Sequence, residues 1–397
     1  MIKMLTAYTE EVDEVEEGIA ELLRQIDLGS LKKNNLGLVT CHSDFINIGL
    51  VNSHSEFINT GFVKELCKKL PFDIIGMTTM ASANKHGQSM YSMSLTVLTS
   101  DDVSFATAMT GPLTPEDYQE KLDAAYTEAA KKLPDRPAMI VAFYPHLKTL
   151  GGAFIHRALD EVCSGVPIWG GIATDSNISP EHCFIFRNGD VSKRCQVMAL
   201  FSGPIDPEFV VISIPSYNIR KARGRVTDSD GCLLKEINGI PALKYLENMG
   251  VAIMEDASVI TPLMVFYEGS SEPVALAIYT VNEDGSLLCG AEITKGATVT
   301  VGEITNDSIM ATTEEGLRRM IESGRRNGAL FLPCVTRYVM LVPNRNAEMD
   351  TIANQLEDGN VMPFMVGYAG GELCPVRDEN GVLRNRFHNF TFSAYIL

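Results

Sequence analysis

Gly367-Tyr368-Ala369-Gly370-Gly371-Glu372 follows an apolar run from Val361 to Val366 and leads into Leu373-Cys374-Pro375. The run reads as a strand. The glycines read as a turn in which the backbone takes positive φ or approaches a neighbour closely. A tyrosine and a carboxylate inside such a turn suit contact with a small molecule better than plain chain reversal. Two more polar interruptions fall in the same region. Cys334-Val335-Thr336-Arg337 ends one apolar run, and Phe387-His388-Asn389-Phe390-Thr391 opens the last one.

The order of elements around this stretch occurs three times. The third unit has an apolar run from Ala329 to Cys334, a helical stretch from Ala347 to Leu356, a glycine turn and a closing strand from Phe390 to Leu397. The first unit has Leu36 to Thr40, a helix from Phe62 to Leu70, Asp73-Ile74-Ile75-Gly76-Met77-Thr78-Thr79, and a strand from Met90 to Leu98. The second has Ala138 to Phe143, a helix from Gly152 to Cys163, Pro167-Ile168-Trp169-Gly170-Gly171-Ile172-Ala173-Thr174-Asp175, and Cys195 to Phe201. Strand–helix–strand units favour parallel pairing through right-handed crossovers, and the closing strands favour antiparallel additions. The expected class is α/β (mixed α+β), with mixed β-sheets flanked by helices and built from repeated strand–helix–strand units in two domains.

The remaining elements are plainer. Thr9 to Ile26 reads as an amphipathic helix, with Val12, Val15, Ile19, Leu22 and Ile26 on one side. Pro115 to Leu133 reads as a helix capped by Thr114, and Asn306 to Arg326 as another. Leu263 to Tyr267, Val274 to Val281 and Ser286 to Thr294 read as strands, the last two joined at Glu283-Asp284-Gly285. A basic run, Arg220, Lys221, Arg223 and Arg225, follows Pro215 and marks the domain boundary, giving domains 1–220 and 221–397. The run reads as a solvated linker, an anion site or a clamp between acidic domains.

Composition narrows the function classes. Of 397 residues, 45% are hydrophobic and 21% charged, which supports a packed core. The net charge of −17 repels phosphate backbones and anionic membranes, so no nucleic-acid or membrane partner is expected. No run approaches the ~18 apolar residues of a membrane span. Met1-Ile2-Lys3-Met4 leads straight into acidic sequence without a signal peptide, and nine scattered cysteines read as reduced thiols. The expected location is the cytoplasm.

Taken together, these landmarks resemble the FIST family, a paired N- and C-terminal sensory module. The N-terminal likeness lies in Ile75-Gly76-Met77-Thr78-Thr79, Trp169-Gly170-Gly171-Ile172-Ala173-Thr174-Asp175 and Phe186-Arg187-Asn188-Gly189. The C-terminal likeness lies in Ile237-Asn238-Gly239-Ile240-Pro241-Ala242-Leu243, Cys334-Val335-Thr336-Arg337, the Gly367–Glu372 turn and Phe387-His388-Asn389-Phe390-Thr391. The resemblance implies a FIST N-terminal-like domain over 1–220 and a ligand-binding FIST C-terminal-like domain over 221–397. It implies a non-enzymatic sensor of amino-acid-like molecules or small carboxylates. The sequence shows no output domain, so the signal is expected to pass in trans to a histidine kinase or chemotaxis receptor. Haem-based nitric oxide sensing is the family's other implied role. One departure is that Met80-Ala81-Ser82 stand where a glutamate often follows the first glycine turn.

The candidate ligand site is Cys334, Arg337, Gly367, Tyr368, Gly370, Gly371, Glu372, His388 and Asn389. An arginine fork binds a carboxylate bidentately, Glu372 accepts an amino group, and His388 and Tyr368 donate. The same residues also make an internal network in which Arg337 pairs with Glu372 and His388 caps a strand end. Cys334 with a histidine and a carboxylate is the minimal set for a thiol-dependent hydrolase or transferase. Adjacent Cys41-His42 and His182-Cys183 point to opposite faces of an extended chain and make poor metal pairs. For haem, His42, His54, His86, His146, His156, His182 and His388 are all formal axial ligands.

Overall fold

Strands that are apolar on both faces have to lie inside a layered structure. Met139–Tyr144 (MIVAFY) is buried along its whole length. The computed structural model describes residues 1–46, 61–147, 150–176, 180–251, 261–268, 273–357 and 362–397. His54 and Val361 of the sequence reading lie outside these.

Three six-stranded sheets share one plan. The first runs Lys3–Thr9, Met93–Ser100, Asn34–Cys41, Ile74–Thr78, Ile185–Arg187, Asp190–Ser192. The second runs Ser104–Met109, Val197–Ser202, Met139–Tyr144, Ile168–Ile172, Glu372–Leu373, Phe387–His388. The third runs Glu208–Ile212, Phe392–Ile396, Ala329–Phe331, Phe364–Gly367, Ser82–Asn84, Gly87–Ser89. In each sheet only the two middle strands are parallel, and they are the two strands joined through a helix in the sequence reading.

The last two strands of each sheet come from a different unit. The hairpin after the first unit's glycine turn completes the third sheet. That of the second unit completes the first sheet, and that of the third unit completes the second. The exchange is cyclic, so the three units interlock. The mixed α/β class read from the sequence is the observed one, down to single elements: the helix Gly152–Cys163 has the expected bounds.

Between Glu208–Ile212 and the rest of the third unit the chain makes a separate antiparallel sheet. Its order is Val274–Leu276, Leu263–Phe266, Thr298–Val301, Gly224–Asp230, Leu233–Ile237, Leu287–Cys289, Ile278–Val281. The expected turn at Gly285 is present, with φ +79°. Residue 220 falls where the chain enters this insert. Strands from both sides of that point share sheets, since Glu208–Ile212 pairs with Phe392–Ile396.

Some element readings change. Thr9 ends the strand Lys3–Thr9, and the first helix is Val15–Gln25. The helix read over Pro115 to Leu133 is Tyr118–Ala130, preceded by a turn in which the Thr114 carbonyl accepts from the Asp117 and Tyr118 N–H groups. None of Gly367, Gly370 and Gly371 has positive φ. Two of the three serve close approach instead. A Cβ on Gly371 would lie 2.5 Å from the Phe387 ring, and one on Gly367 would lie 2.7 Å from Thr40 Cγ2.

Candidate functional site

Of the nine candidate residues, the six other than the glycines divide between two buried clusters, and the division falls between Arg337 and Glu372. Arg337 is 1% exposed, on the short helix Val335–Met340. Its Nε and Nη2 donate to Glu348 Oε1 at 2.9 and 2.6 Å. Nη1 donates to Thr312 Oγ1 at 2.9 Å, and Nη2 also reaches the Ile309 carbonyl and Thr313 Oγ1 at 2.9 and 2.8 Å. The Tyr368 hydroxyl donates to Glu348 Oε2 at 3.0 Å. The guanidinium fork is thus engaged from within the protein. The expected roles of Arg337 and Tyr368 as ligand contacts are therefore corrected to structural ones, with Glu348 rather than Glu372 as the arginine's partner. Sequence reasoning missed Glu348 because a glutamate in the first turn of Ala347–Glu357 reads as an exposed complement to the helix dipole.

The second cluster keeps Cys334, Glu372, His388 and Asn389 together. Glu372 and His388 are direct cross-strand partners. Glu372 is fully buried; its Oε2 accepts from Thr391 Oγ1 at 2.8 Å and from the Thr391 N–H at 3.3 Å, and Oε1 has no hydrogen-bond partner among the described residues. Burial raises its carboxyl to about 8, opposed chiefly by the Thr391 hydrogen bonds. Cys334 is buried beside it, and burial together with the neighbouring carboxylate pushes the thiol up. Such burial disfavours the thiolate that the thiol-dependent catalytic reading of Cys334 requires.

His388 bonds the Cys374 carbonyl through Nε2 at 3.0 Å. A carbonyl only accepts, so that nitrogen carries the proton. Burial lowers the imidazole to about 4, so it is neutral at pH 7. Asn389 ties the insert to the body: its N–H donates to the Ala275 carbonyl, and its Oδ1 accepts from the Ala277 N–H, both at 2.9 Å. The guanidinium, carboxylate and imidazole therefore do not surround one hollow, because Arg337 belongs to the Glu348 network.

Of the nine, His388 alone lines a described open cleft. That cleft, about 520 Å³, lies between Glu208–Ile212, the end of the helix Asn306–Glu322 and the hairpin of Val376–Arg377 and Leu383–Arg384. Arg319, Arg325 and Arg377 border it, with His388 and Thr391 in its wall. Arg325 is paired with Asp206 and Glu208 at 2.8 and 2.6 Å, and Arg319 with Glu315 at 2.7 Å. Arg377 is exposed, bonds the Gly381 carbonyl at 2.9 Å, and makes no ion pair among the described residues. A second cleft of about 600 Å³ shares Ser213, Pro273 and Arg319 with the first, and Arg220, Lys221 and Arg223 line it. The basic run thus borders a cavity, with the Arg223 guanidinium carbon 3.8 Å from the centre of the Phe266 ring.

Among the described residues no group of three or more His, Cys, Asp or Glu side chains is placed to hold a metal ion. No helix among them is long and apolar enough to cross a membrane. No disulfide joins the nine cysteines.

Fold and clefts together describe a mixed α/β protein with small-molecule-sized cavities where its units meet. The family model of the FIST N domain matches residues 47–240 and that of the FIST C domain matches 243–375; the chain belongs to the FIST family of sensory domains. No curated protein matches it. Among solved structures, a cyanuric acid hydrolase described as an evolutionary innovation by structural concatenation is similar at 9% identity. The match covers 76% of this chain and 99% of that one, with a TM-score of 0.28.

Proposed function

We propose that the protein is a non-enzymatic sensor that captures a small carboxylate, amino-acid-like in its fuller form, in the cleft bordered by Arg377 and His388, and passes the signal to a separate signalling protein such as a histidine kinase or chemotaxis receptor. The observation that carries this reading is the exposed Arg377 guanidinium, without an ion pair among the described residues, at a cleft whose wall holds His388 and Thr391. A guanidinium binds a carboxylate through two parallel hydrogen bonds. Asp206 and Glu208 on the same cleft offer acceptors for an ammonium group.

The cleft also touches the insert at Pro273 and Val274 and the three-unit body at Val210 and His388. A ligand held between them favours one arrangement of insert and body by its difference in affinity for the two, which is all that signalling requires. The test is a thermal-shift screen of succinate, glutarate, glutamate and aspartate. At least one is expected to raise Tm in the native protein and to lose that effect in Arg377→Ala, whose exposed side chain leaves the fold intact. A screen without a positive, or a response equal in the variant, would overturn the assignment.

A further inference from the structure

A third cleft, of about 240 Å³, lies on the other side of the strand that carries His388. Successive strand residues face opposite ways, and here Phe387 lines this cleft while His388 lines the first. Three parts of the molecule build it. The helix Gly152–Cys163 supplies Phe154, His156 and Asp160, the insert supplies Tyr267 and Glu292, and the C-terminal segment supplies Arg386 and Phe387.

His156 is the unusual member. It is 5% exposed, its Nδ1 is 3.5 Å from the Tyr144 hydroxyl, and its Nε2 has no hydrogen-bond partner among the described residues. Buried polar atoms without partners are rare because each loses its hydration with nothing in return. Burial, and after it the neighbouring His388 and Arg386, lower the imidazole to about 3, so it is a neutral ring that still needs a partner at Nε2. A carboxylate partner selects the tautomer in which Nδ1 accepts from the Tyr144 hydroxyl and Nε2 carries the proton.

The other polar groups are largely spoken for. Asp160 accepts from Asn385, and Arg157 closes the rim by an ion pair to Glu292 at 2.9 Å. Arg386 makes no ion pair among the described residues; its guanidinium carbon lies 5.3 Å from the Tyr267 ring centre. What remains is one neutral donor, one guanidinium and aromatic walls from Phe154, Tyr267 and Phe387. The volume matches roughly eight waters of liquid, which admits one ring and one acidic group.

We propose that this cleft is a second binding site, for a single-ring aromatic carboxylate whose ring lies among Phe154, Tyr267 and Phe387 and whose carboxylate bonds Arg386 and His156 Nε2. Gly371 and Gly152 make room for the Phe387 wall: a Cβ on either would lie 2.5 or 3.3 Å from that ring. The proposal is independent of the first cleft's ligand. Calorimetric titration of the full-length protein with benzoate tests it, with acetate and cyclohexanecarboxylate alongside. Benzoate is expected to bind, with acetate and cyclohexanecarboxylate weaker. Arg386→Gln, at a half-exposed position, is expected to weaken benzoate by about tenfold or more, as loss of a charge-assisted pair does. His156→Gln is expected to weaken it further, and Arg377→Ala in the first cleft to leave it unchanged. No binding of benzoate, undiminished binding in Arg386→Gln, acetate binding as tightly as benzoate, or loss in Arg377→Ala would each overturn it.

Discussion

Arg337 has a partner for each arm of its guanidinium, and that decides what its removal does. Arg337→Ala leaves the Glu348 carboxylate buried without its cation. Breaking a buried pair from one side costs about 3–5 kcal/mol. Urea unfolding is expected to show a loss of that order whether or not a ligand is present. A variant of native stability that merely loses ligand response would contradict the structural role.

Glu372 makes a different prediction. Its carboxyl sits near 8 in the fold against a reference value of 4.5. Between those two values the unfolded chain has released a proton that the native protein keeps. Native stability therefore falls as pH rises from about 4.5 to 8 and levels off above. Glu372→Gln removes this dependence, so its Tm relative to the native protein should climb steadily from pH 5 to pH 8. An offset that does not change with pH would contradict the raised carboxyl. Glu372 and His388 were legible as polar residues inside apolar runs. Glu348 and His156 were not, because nothing local marks a helical glutamate or histidine as buried until the packing of distant elements is known.

Among the elements, the middle parallel pair of each sheet sets the tightest demand. A Cβ on Gly170 would lie 1.8 Å from the carbonyl oxygen of its register partner Ala142. No rotamer relieves a clash with backbone, so Gly170→Ala has to separate Met139–Tyr144 from Ile168–Ile172. A loss of several kcal/mol, at the exceptional end for one substitution, is expected, with little folded protein recovered. A Tm within a degree or two of the native protein would refute this geometry.

Parallel strands joined by amphipathic helices were read correctly because apolar runs and helical spacing alternate along the chain. The helix read from Thr9 begins only at Val15, because Thr9 itself finishes a strand and the chain needs the intervening residues to leave it. The glycine turn was located correctly. Its positive φ was not found, since glycine's freedom and its lack of a side chain leave the same mark in a sequence.

For the molecule as a whole, the cyclic exchange of hairpins is the feature the sequence hid. Strands of two or three residues such as Ser82–Asn84 and Glu372–Leu373 have no periodicity to read, and their partners lie in other units. Order of elements revealed three units; only long-range pairing reveals that they interlock. The same exchange brings His388 and Phe387 to the second sheet, one residue to each of two clefts. It also explains how the candidate residues divide: Cys334, Glu372, His388 and Asn389 gather at the exchanged strand, whereas Arg337 and Tyr368 face the helices of their own unit.

The sensory reading rests on a carboxylate entering the cleft beside Arg377. Hydrogen exchange of the full chain, with and without whichever carboxylate raises Tm, tests this most directly. The account predicts slowed exchange in the segments lining that cleft, 206–213, 375–377 and 388–391, and the loss of that protection in Arg377→Ala. Protection confined to other segments, or unchanged by Arg377→Ala, would contradict it.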